Sequence, residues 1–385
     1  MTRALYLVAL SSALATPAFA DEPVLTPYGL LQTWVTVFDQ DQNPQADPAG
    51  YGDPEADPGL SIRRARLGLA GHYKVVDYHI AFGMGAPPDV FAQPQPLIGV
   101  VDAYAGVTVG AGPGDLRISA GTQKVPVSRE SLISSRDLLF QERAVVTNHL
   151  APDREAGVMA EYKLHNGLEL TAGAFNGNGN ILGDNNVGIL AAGRVEYAHG
   201  DAYKTFTATH DNGWGVGVSA SYNDDVSTGT LRLGADGLVR VGPIAVLAEG
   251  AWDRLTPTQT TVAPPTVVSN TDQYGALLQV SGYVPLFAGG LEIGTRAEIF
   301  DDATKLRDNG DVGILYAGAT WRDPFPGVDV GLGFIHRQEL AGRSIPNDTV
   351  RLWTQVRYPL WRPGTHFGKK GDDAKADEAP TETDQ

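Results

Sequence analysis

Charged side chains of both signs cluster in one segment, Lys124 to Gly157, which reads KVPVSRESLISSRDLLFQERAVVTNHLAPDREAG. Elsewhere the chain alternates apolar and polar residues between glycine-rich turns, whereas here a helix-like run covers residues 131–146. Guanidinium and ammonium groups bind anions, and neighbouring carboxylates weaken their field. Such a mixture suits a wet, charge-selective constriction better than a packed core. The charged residues are Lys124, Arg129, Glu130, Arg136, Asp137, Glu142 and Arg143.

Other chemistry is sparse in the sequence. The 8 histidines are scattered without the spacing of a metal site, and Cys is absent, so thiolate ligands and disulfides are excluded. Two G-x-G fragments, at 177–179 and 215–217, do not open a strand–helix unit, and no G-x-S-x-G motif occurs. We therefore predict neither an enzyme nor a cofactor. The formal net charge of −16 argues against a nucleic-acid partner.

The N-terminus has the pattern of an export signal. Residues 1–20 contain one base, an apolar stretch and a final Ala18-Phe19-Ala20, which predicts a signal peptide cleaved before Asp21. A buried N-terminal helix is the alternative interpretation. The stretch is too short to span a bilayer, and no other segment offers 18 consecutive apolar residues, so helical membrane spans are not predicted.

The elements around the charged segment are strand-like pieces with a period of two. Residues 60–70, 167–176, 290–301 and 349–358 each place aliphatic side chains on one face and polar or charged ones on the other. About sixteen such segments fit between Tyr28 and Trp361. The apolar faces are thin aliphatic rows without a helical partner, which is typical of a transmembrane barrel with apolar residues towards lipid and polar residues towards water.

The connections support an all-β, closed antiparallel transmembrane barrel of about sixteen strands, because short and long connections alternate along the chain. A barrel of this size leaves a lumen that side chains cannot fill, so an aqueous channel is expected. The tight turns are 110–115, 165–167, 241–243 and 324–327, and the long polar loops are 40–59, 176–186 and 256–271.

The charged segment follows the fifth predicted strand and is therefore the third long loop. It either lies free outside the barrel or folds into the lumen, where irregular backbone is tolerated because it lines water. The inward fold predicts that residues 126–153 narrow the channel. Deleting the loop is then expected to raise the conductance.

Five runs of the sequence carry a resemblance to a known family: RRARLGLAG (63–71), DAYAGV (102–107), ISAGTQKVPVSRESLISSRDLLFQERAVV (118–146), LAPDREAGV (150–158) and AFNGNGN (174–180). In this order they resemble the phosphate-selective porin O and P family of outer-membrane phosphate and polyphosphate porins, over roughly the first 200 residues. The resemblance implies a sixteen-stranded trimeric porin in the outer membrane of a Gram-negative bacterium, with its third loop folded into the pore, and with lysines and arginines that select anions.

Specific phosphate capture needs several convergent cations with few acids. In this loop each arginine has an acid beside it in sequence, and the polar faces of the strands also mix signs. We therefore predict a mild anion preference. The residues assigned to the constriction or to solute contacts are Lys124, Arg129, Arg136, Arg143, Arg64 and Arg66, and those assigned to anchoring the loop are Glu130, Asp137 and Glu142.

The sequence thus divides into a signal peptide (1–20), an outer-membrane barrel (21–362) and an acidic tail with the composition of disorder (363–385). The predicted function is passive diffusion of small hydrophilic solutes, with outer-membrane lipid, a second and third copy of the chain, and small inorganic anions as partners. The alternative is a plugged barrel with a structural or surface-binding role. A continuous water path through the lumen supports the diffusion channel, and a lumen filled by side chains supports the plugged barrel.

Overall fold

Sixteen antiparallel strands form one closed barrel in the computed structural model, which describes residues 24–40, 58–85, 98–179, 188–200, 202–203, 212–258, 269–345 and 347–358. Each strand pairs with its neighbours in sequence, and the first strand pairs with the last, Gly29 facing Tyr358, so the sheet has no free edge. The predicted fold class is therefore confirmed. The predicted signal peptide, most of the acidic loop at 39–57 and the acidic tail lie outside the described residues.

The strands are β1 (Val24–Asp39), β2 (Gly59–Tyr73), β3 (Val76–Gly85), β4 (Gly99–Ala111), β5 (Gly114–Lys124), β6 (Arg154–Leu164), β7 (Leu168–Phe175), β8 (Leu190–His199), β9 (Gly213–Asp224), β10 (Thr228–Val241), β11 (Ile244–Pro257), β12 (Thr271–Pro285), β13 (Gly290–Asp301), β14 (Val312–Phe325), β15 (Val328–Glu339) and β16 (Asn347–Tyr358). Two short helices, α1 (Arg129–Leu132) and α2 (Val145–Leu150), lie between β5 and β6. None of the helices in the described part of the chain is long and apolar enough to cross a membrane.

Because side chains alternate along each strand, the outer face of the barrel wall is aliphatic and the lumen face carries charged residues. In β2, Leu67 is 72 % exposed on the outer face, whereas Arg64, three residues before it, is buried on the lumen side. The same division holds in β13 and β16, where Ile293 and Leu352 face outward and Arg296 and Arg351 face inward. Aliphatic side chains directed outward to lipid need no protein partner, which explains why large apolar residues are exposed in every strand.

Candidate functional site: the third loop and the charged lumen

The third loop, residues 125–153, lies inside the barrel. Nearly every side chain from Val125 to Thr147 is buried, and the wall on the lumen side contacts it from several strands. The inward fold is therefore confirmed, and the free external loop is wrong.

The predicted helix-like run at 131–146 is wrong in position. Within the loop, helical turns occur only in α1 and α2. Between them, side chains of the wall donate hydrogen bonds to backbone carbonyls, in place of the N–H groups of a helix. Arg322 donates to the carbonyl of Leu138 at 2.8 Å, and Gln355 donates to that of Arg136 at 3.0 Å. These bonds use carbonyls that would otherwise accept the i→i−4 bonds of a helix.

The loop packs on the wall through an apolar face. Leu138, Leu139, Phe140 and Val146 belong to a cluster of buried apolar residues inside the barrel, a feature that the sequence did not predict. Its wall members come mainly from the strands between β10 and β16 and from β1. They are Trp34, Leu238, Leu247, Leu277, Phe300, Val312, Ile314, Tyr316, Ile335 and Trp353.

Glycines in the wall let this face approach closely. A Cβ at Gly275 would lie 2.8 Å from Val146, and one at Gly294 would lie 2.6 Å from Leu139 Cδ2. These contacts hold the loop against strands β12 and β13.

Lys124 fixes the start of the loop. Its ammonium group donates to the carbonyls of Ser131, Leu132 and Ile133 at 2.6, 3.0 and 3.0 Å, where α1 ends. A cation at a helix C-terminus satisfies carbonyls that have no helical partner. All three ammonium hydrogens are used in this way, so the geometry gives Lys124 an anchoring position; its predicted contact with solute stays a prediction.

Arg129 joins the loop to the far wall. Its guanidinium is fully buried, 2.7 Å from Asp236 and 3.1 Å from Glu196, and it donates to the carbonyl of Ala202 at 2.8 Å. Arg194 binds the same two carboxylates, at 2.6 and 2.9 Å. Two cations and two anions therefore form a compact network that leaves little net charge at this point.

Glu130 and Glu298 hold the start of α2. The backbone N–H of Ala144 donates to Glu130 at 2.9 Å, and that of Val145 donates to Glu298 at 2.6 Å. Arg296 lies between the two carboxylates, 3.1 Å from Glu130 and 2.6 Å from Glu298. The carboxylates thus satisfy donors at a helix N-terminus and neutralise one buried guanidinium.

Glu142 ties the loop to β2 through two arginines. Its carboxylate lies 2.6 Å from Arg63 and 3.5 Å from Arg64. Arg63 is the extra residue of an irregularity in the β1–β2 register, which turns its side chain into the lumen beside Arg64. Burial raises the pKa of Glu142, but the two guanidinium groups outweigh it and hold the pKa well below its usual range.

Replacing Glu142 with Gln is expected to destabilise the barrel by about 3 kcal/mol at neutral pH, because two buried cations lose their carboxylate. The folded pKa of Glu142 is depressed, so its contribution is present above the unfolded value of about 4.3 and is lost as the pH falls towards the folded value. The difference in the free energy of unfolding between wild type and Glu142→Gln should therefore become smaller below about pH 4. Denaturant unfolding in lipid vesicles at a series of pH values measures it.

The exposed Asp115→Asn exchange serves as the control, since Asp115 is more than half exposed at the opposite rim. If the difference in the free energy of unfolding between wild type and Glu142→Gln stays constant or grows in acid, the Glu142 carboxylate does not stabilise the barrel through its arginine partners.

Several lumen cations lack a carboxylate partner among the described residues. Among the described residues, Arg66 donates to Ser135 Oγ at 3.1 Å and to no carboxylate. Arg143 donates to three loop carbonyls, the closest being Ile133 at 2.9 Å, and Arg351 lies 3.9 Å from the centre of the Trp34 ring. With Lys124, these cations lie on the half of the lumen formed by β16 and β1–β6. We define Arg66, Lys124, Arg143 and Arg351 as the unpaired cation group.

Three carboxylates lie beside the unpaired cation group. Asp102 pairs with Arg154 at 2.8 Å, and Glu142 is held by β2. For the third, Asp153, burial raises the pKa, but Arg154, Arg143 and Lys124 together hold it well below its usual range. The positive field of this half is therefore reduced but not cancelled.

In the other half of the lumen the arginines are matched by acids. Arg322 lies 2.7 Å from Glu292 and 3.1 Å from Asp329, and Arg337 lies 2.6 Å from Glu339. These pairs are buried, and an unpaired buried charge would cost several kcal/mol. The charge of the lumen is thus asymmetric.

The remaining predicted site residues are also in the lumen. Arg64 donates to Gln32 at 3.0 Å, and Arg136 and Asp137 are buried in the loop. Arg129 and Glu142 form their ion pairs with wall residues and not with the charged side chains beside them in sequence. Sequence reasoning missed Arg63, Arg154 and Arg322; the consecutive arginines at 63 and 64 were the only local signal of the bulge.

A closed sixteen-stranded barrel with an aliphatic outer face, a charged lumen and an inward third loop defines an outer-membrane porin. The sequence model of phosphate-selective porin O and P matches residues 38–232, more than half of the 385 residues. The chain belongs to this porin family and is an outer-membrane channel of a Gram-negative bacterium.

Solved structures of the same fold support the architecture. The chain is similar to OmpT, an outer-membrane protein of Vibrio cholerae, in its trimer form, with a TM-score of 0.60 and 13 % identity over 88 % of this chain and 100 % of that one. An anion-selective porin from Comamonas acidovorans matches with a TM-score of 0.56 and 12 % identity, over 88 % of this chain and 100 % of that one.

The outer-membrane channel DcaP of Acinetobacter baumannii gives a TM-score of 0.55 and 13 % identity, over 87 % and 97 % of the two chains. No curated protein matches the sequence. At these identities the structural matches support the fold alone.

Proposed function

We propose that the protein is a passive diffusion channel for small hydrophilic solutes with a mild preference for anions and no high-affinity phosphate site, and that it has no catalytic activity. The observation that carries the proposal is the unpaired cation group on the lumen side of β16 and β1–β6. A cation without a bound carboxylate contributes to the local potential, whereas one in a tight ion pair contributes little.

Nearby acids set the strength of this preference. Asp102, Glu142 and Asp153 lie among the cations, so the field is weaker than in a site built from cations alone. The net charge of −16 does not determine the sign of the pore, because exposed charges act only within a Debye length of roughly 8 Å at physiological salt. The family resemblance to phosphate-selective porins supports anions as the solute class.

Replacing Arg66 with Gln is expected to lower the anion/cation permeability ratio by roughly a factor of two, since it removes a lumen charge that no described carboxylate binds directly. Arg136→Gln should lower the ratio more modestly. The measurement is the reversal potential of single channels in planar bilayers under a salt gradient.

Arg254→Gln is the matched control, because Arg254 is about half exposed and pairs with Asp272 at 2.8 Å. Strong cation selectivity of the wild type, or block by micromolar phosphate, would contradict the proposal from opposite directions.

A homotrimer is part of the proposal. It is supported by the trimer form of the similar Vibrio cholerae protein and by the family resemblance. Light scattering of the purified protein in detergent, corrected for bound detergent, tests it; a monomer as the sole species would exclude the trimer.

A plugged barrel with a structural or surface-binding role is the second candidate. The buried apolar cluster between the third loop and the wall favours it, since these side chains fill part of the lumen. A cavity of about 180 Å³ beside α2, lined by His149, Glu155, Asn223 and Arg232 among others, favours a wet path instead. A wild-type protein that inserts into bilayers without measurable conductance would select the plugged barrel.

A further inference from the structure

Three carboxylates converge at the end of the barrel that carries the third loop. They belong to Asp301, at the end of β13, and to Asp302 and Asp311, in the connection to β14. One oxygen from each lies within 4.8 Å of the others. Like charges this close repel unless a cation or a proton lies between them.

Asp311 supplies the observation that points to a ligand. Its side chain is only 8 % exposed, and its Oδ1 is buried with no hydrogen-bond partner among the residues that the structure describes. A carboxylate oxygen in that position is costly unless something binds it. The nearby cation Arg307 forms no ion pair with Asp311 within the described part of the chain.

The backbone around the three carboxylates is built to hold them. Asp301 Oδ1 accepts a bond from the N–H of Ala303 at 2.9 Å. Residue 310 has no side chain, and a Cβ there would lie 2.0 Å from Asp302 Oδ1, so only glycine lets this carboxylate pack on the chain.

We propose that Asp301, Asp302 and Asp311 bind a Ca²⁺ ion at the outer rim of the barrel. Hard oxygen ligands suit Ca²⁺, and with bonds of about 2.3–2.6 Å one ion can reach oxygens that lie within 4.8 Å of each other. Mg²⁺ needs shorter bonds of about 2.0–2.1 Å and near-octahedral geometry, so it fits this spacing less well. The site is independent of the anion preference proposed above.

The ion would stabilise two neighbouring connections at once. The N–H of Leu340 donates to the carbonyl of Asp311 at 2.7 Å, and Asn309 Nδ2 donates to the carbonyl of Arg343 at 2.7 Å. Ordering residues 302–311 therefore also orders residues 340–343. Both segments contain exposed arginines, Arg307 and Arg343, which trypsin can cleave.

Calorimetric titration of CaCl₂ into the full-length mature protein in detergent tests the site. We expect one saturable site with a Kd of about 10⁻⁴–10⁻³ M, weaker binding of Mg²⁺, and at least about tenfold weaker Ca²⁺ binding in Asp311→Asn and in Asp302→Asn. Asp115→Asn, at the opposite rim, should bind like the wild type. Absence of saturable binding to the wild type, or an equal loss in Asp115→Asn, would overturn the proposal.

Limited trypsin digestion of the wild type gives a second readout that needs no variant to fold. Cleavage at Lys305, Arg307 and Arg343 should be severalfold slower in Ca²⁺ than in a chelator, and cleavage elsewhere should not change. Equal rates at these three residues with and without Ca²⁺ would count against the site. Bilayer selectivity is measured separately, so failure of the Ca²⁺ site and failure of the channel proposal are distinguishable.

Discussion

Replacing residues 126–152 with a short Gly–Ser linker is expected to raise the single-channel conductance at least about threefold, because the third loop occupies much of a lumen that a sixteen-stranded barrel otherwise leaves open. Lys124 and Arg154 are directly paired partners of β5 and β6, so a short connection can close the gap between them. Conductance in planar bilayers at fixed salt is the measurement.

The linker variant distinguishes the two candidate functions. If the wild type conducts and the variant conducts more, the loop is a constriction; if only the variant conducts, the loop is a plug. Replacing the exposed residues 304–307 with Gly and Ser residues is the control and should leave the conductance unchanged. A folded linker variant with the wild-type conductance would show that the loop does not limit the pore.

Arg296→Met is expected to destabilise the barrel by about 3–5 kcal/mol, since it leaves Glu130 and Glu298 buried without their shared cation. The guanidinium also lies 4.4 Å from the centre of the Tyr316 ring, a contact that methionine replaces only in part. Guanidinium-chloride unfolding in lipid vesicles measures the loss.

Adding Glu298→Gln to Arg296→Met should recover a large part of that stability, because the second change removes one of the stranded charges. Arg254→Met, which breaks an exposed ion pair with Asp272, should have no measurable effect. If Arg296→Met were as harmless as Arg254→Met, the network would not anchor the loop.

The sequence by itself determined the barrel. Alternation in segments such as 290–301 assigned Arg296 and Glu298 to the lumen and Ile293 to the lipid face, and the structure places them there. This works because the side-chain period of a strand is fixed at two, so a local pattern decides which face a residue occupies. The long charged insertion after the fifth strand, together with the resemblance of its motifs, was also enough to predict an inward loop.

The tertiary structure alone decided which charges meet. Arg129 binds Glu196 and Asp236, far away in sequence, and not Glu130 beside it; Glu142 binds Arg63, which faces the lumen only because of a bulge. Ion pairing depends on distances between strands that barrel closure brings together, and neither closure geometry nor a one-residue bulge is encoded in local alternation. For the same reason the unpaired cation group, on which the proposed selectivity depends, could be recognised only from the ion pairs that the described residues form.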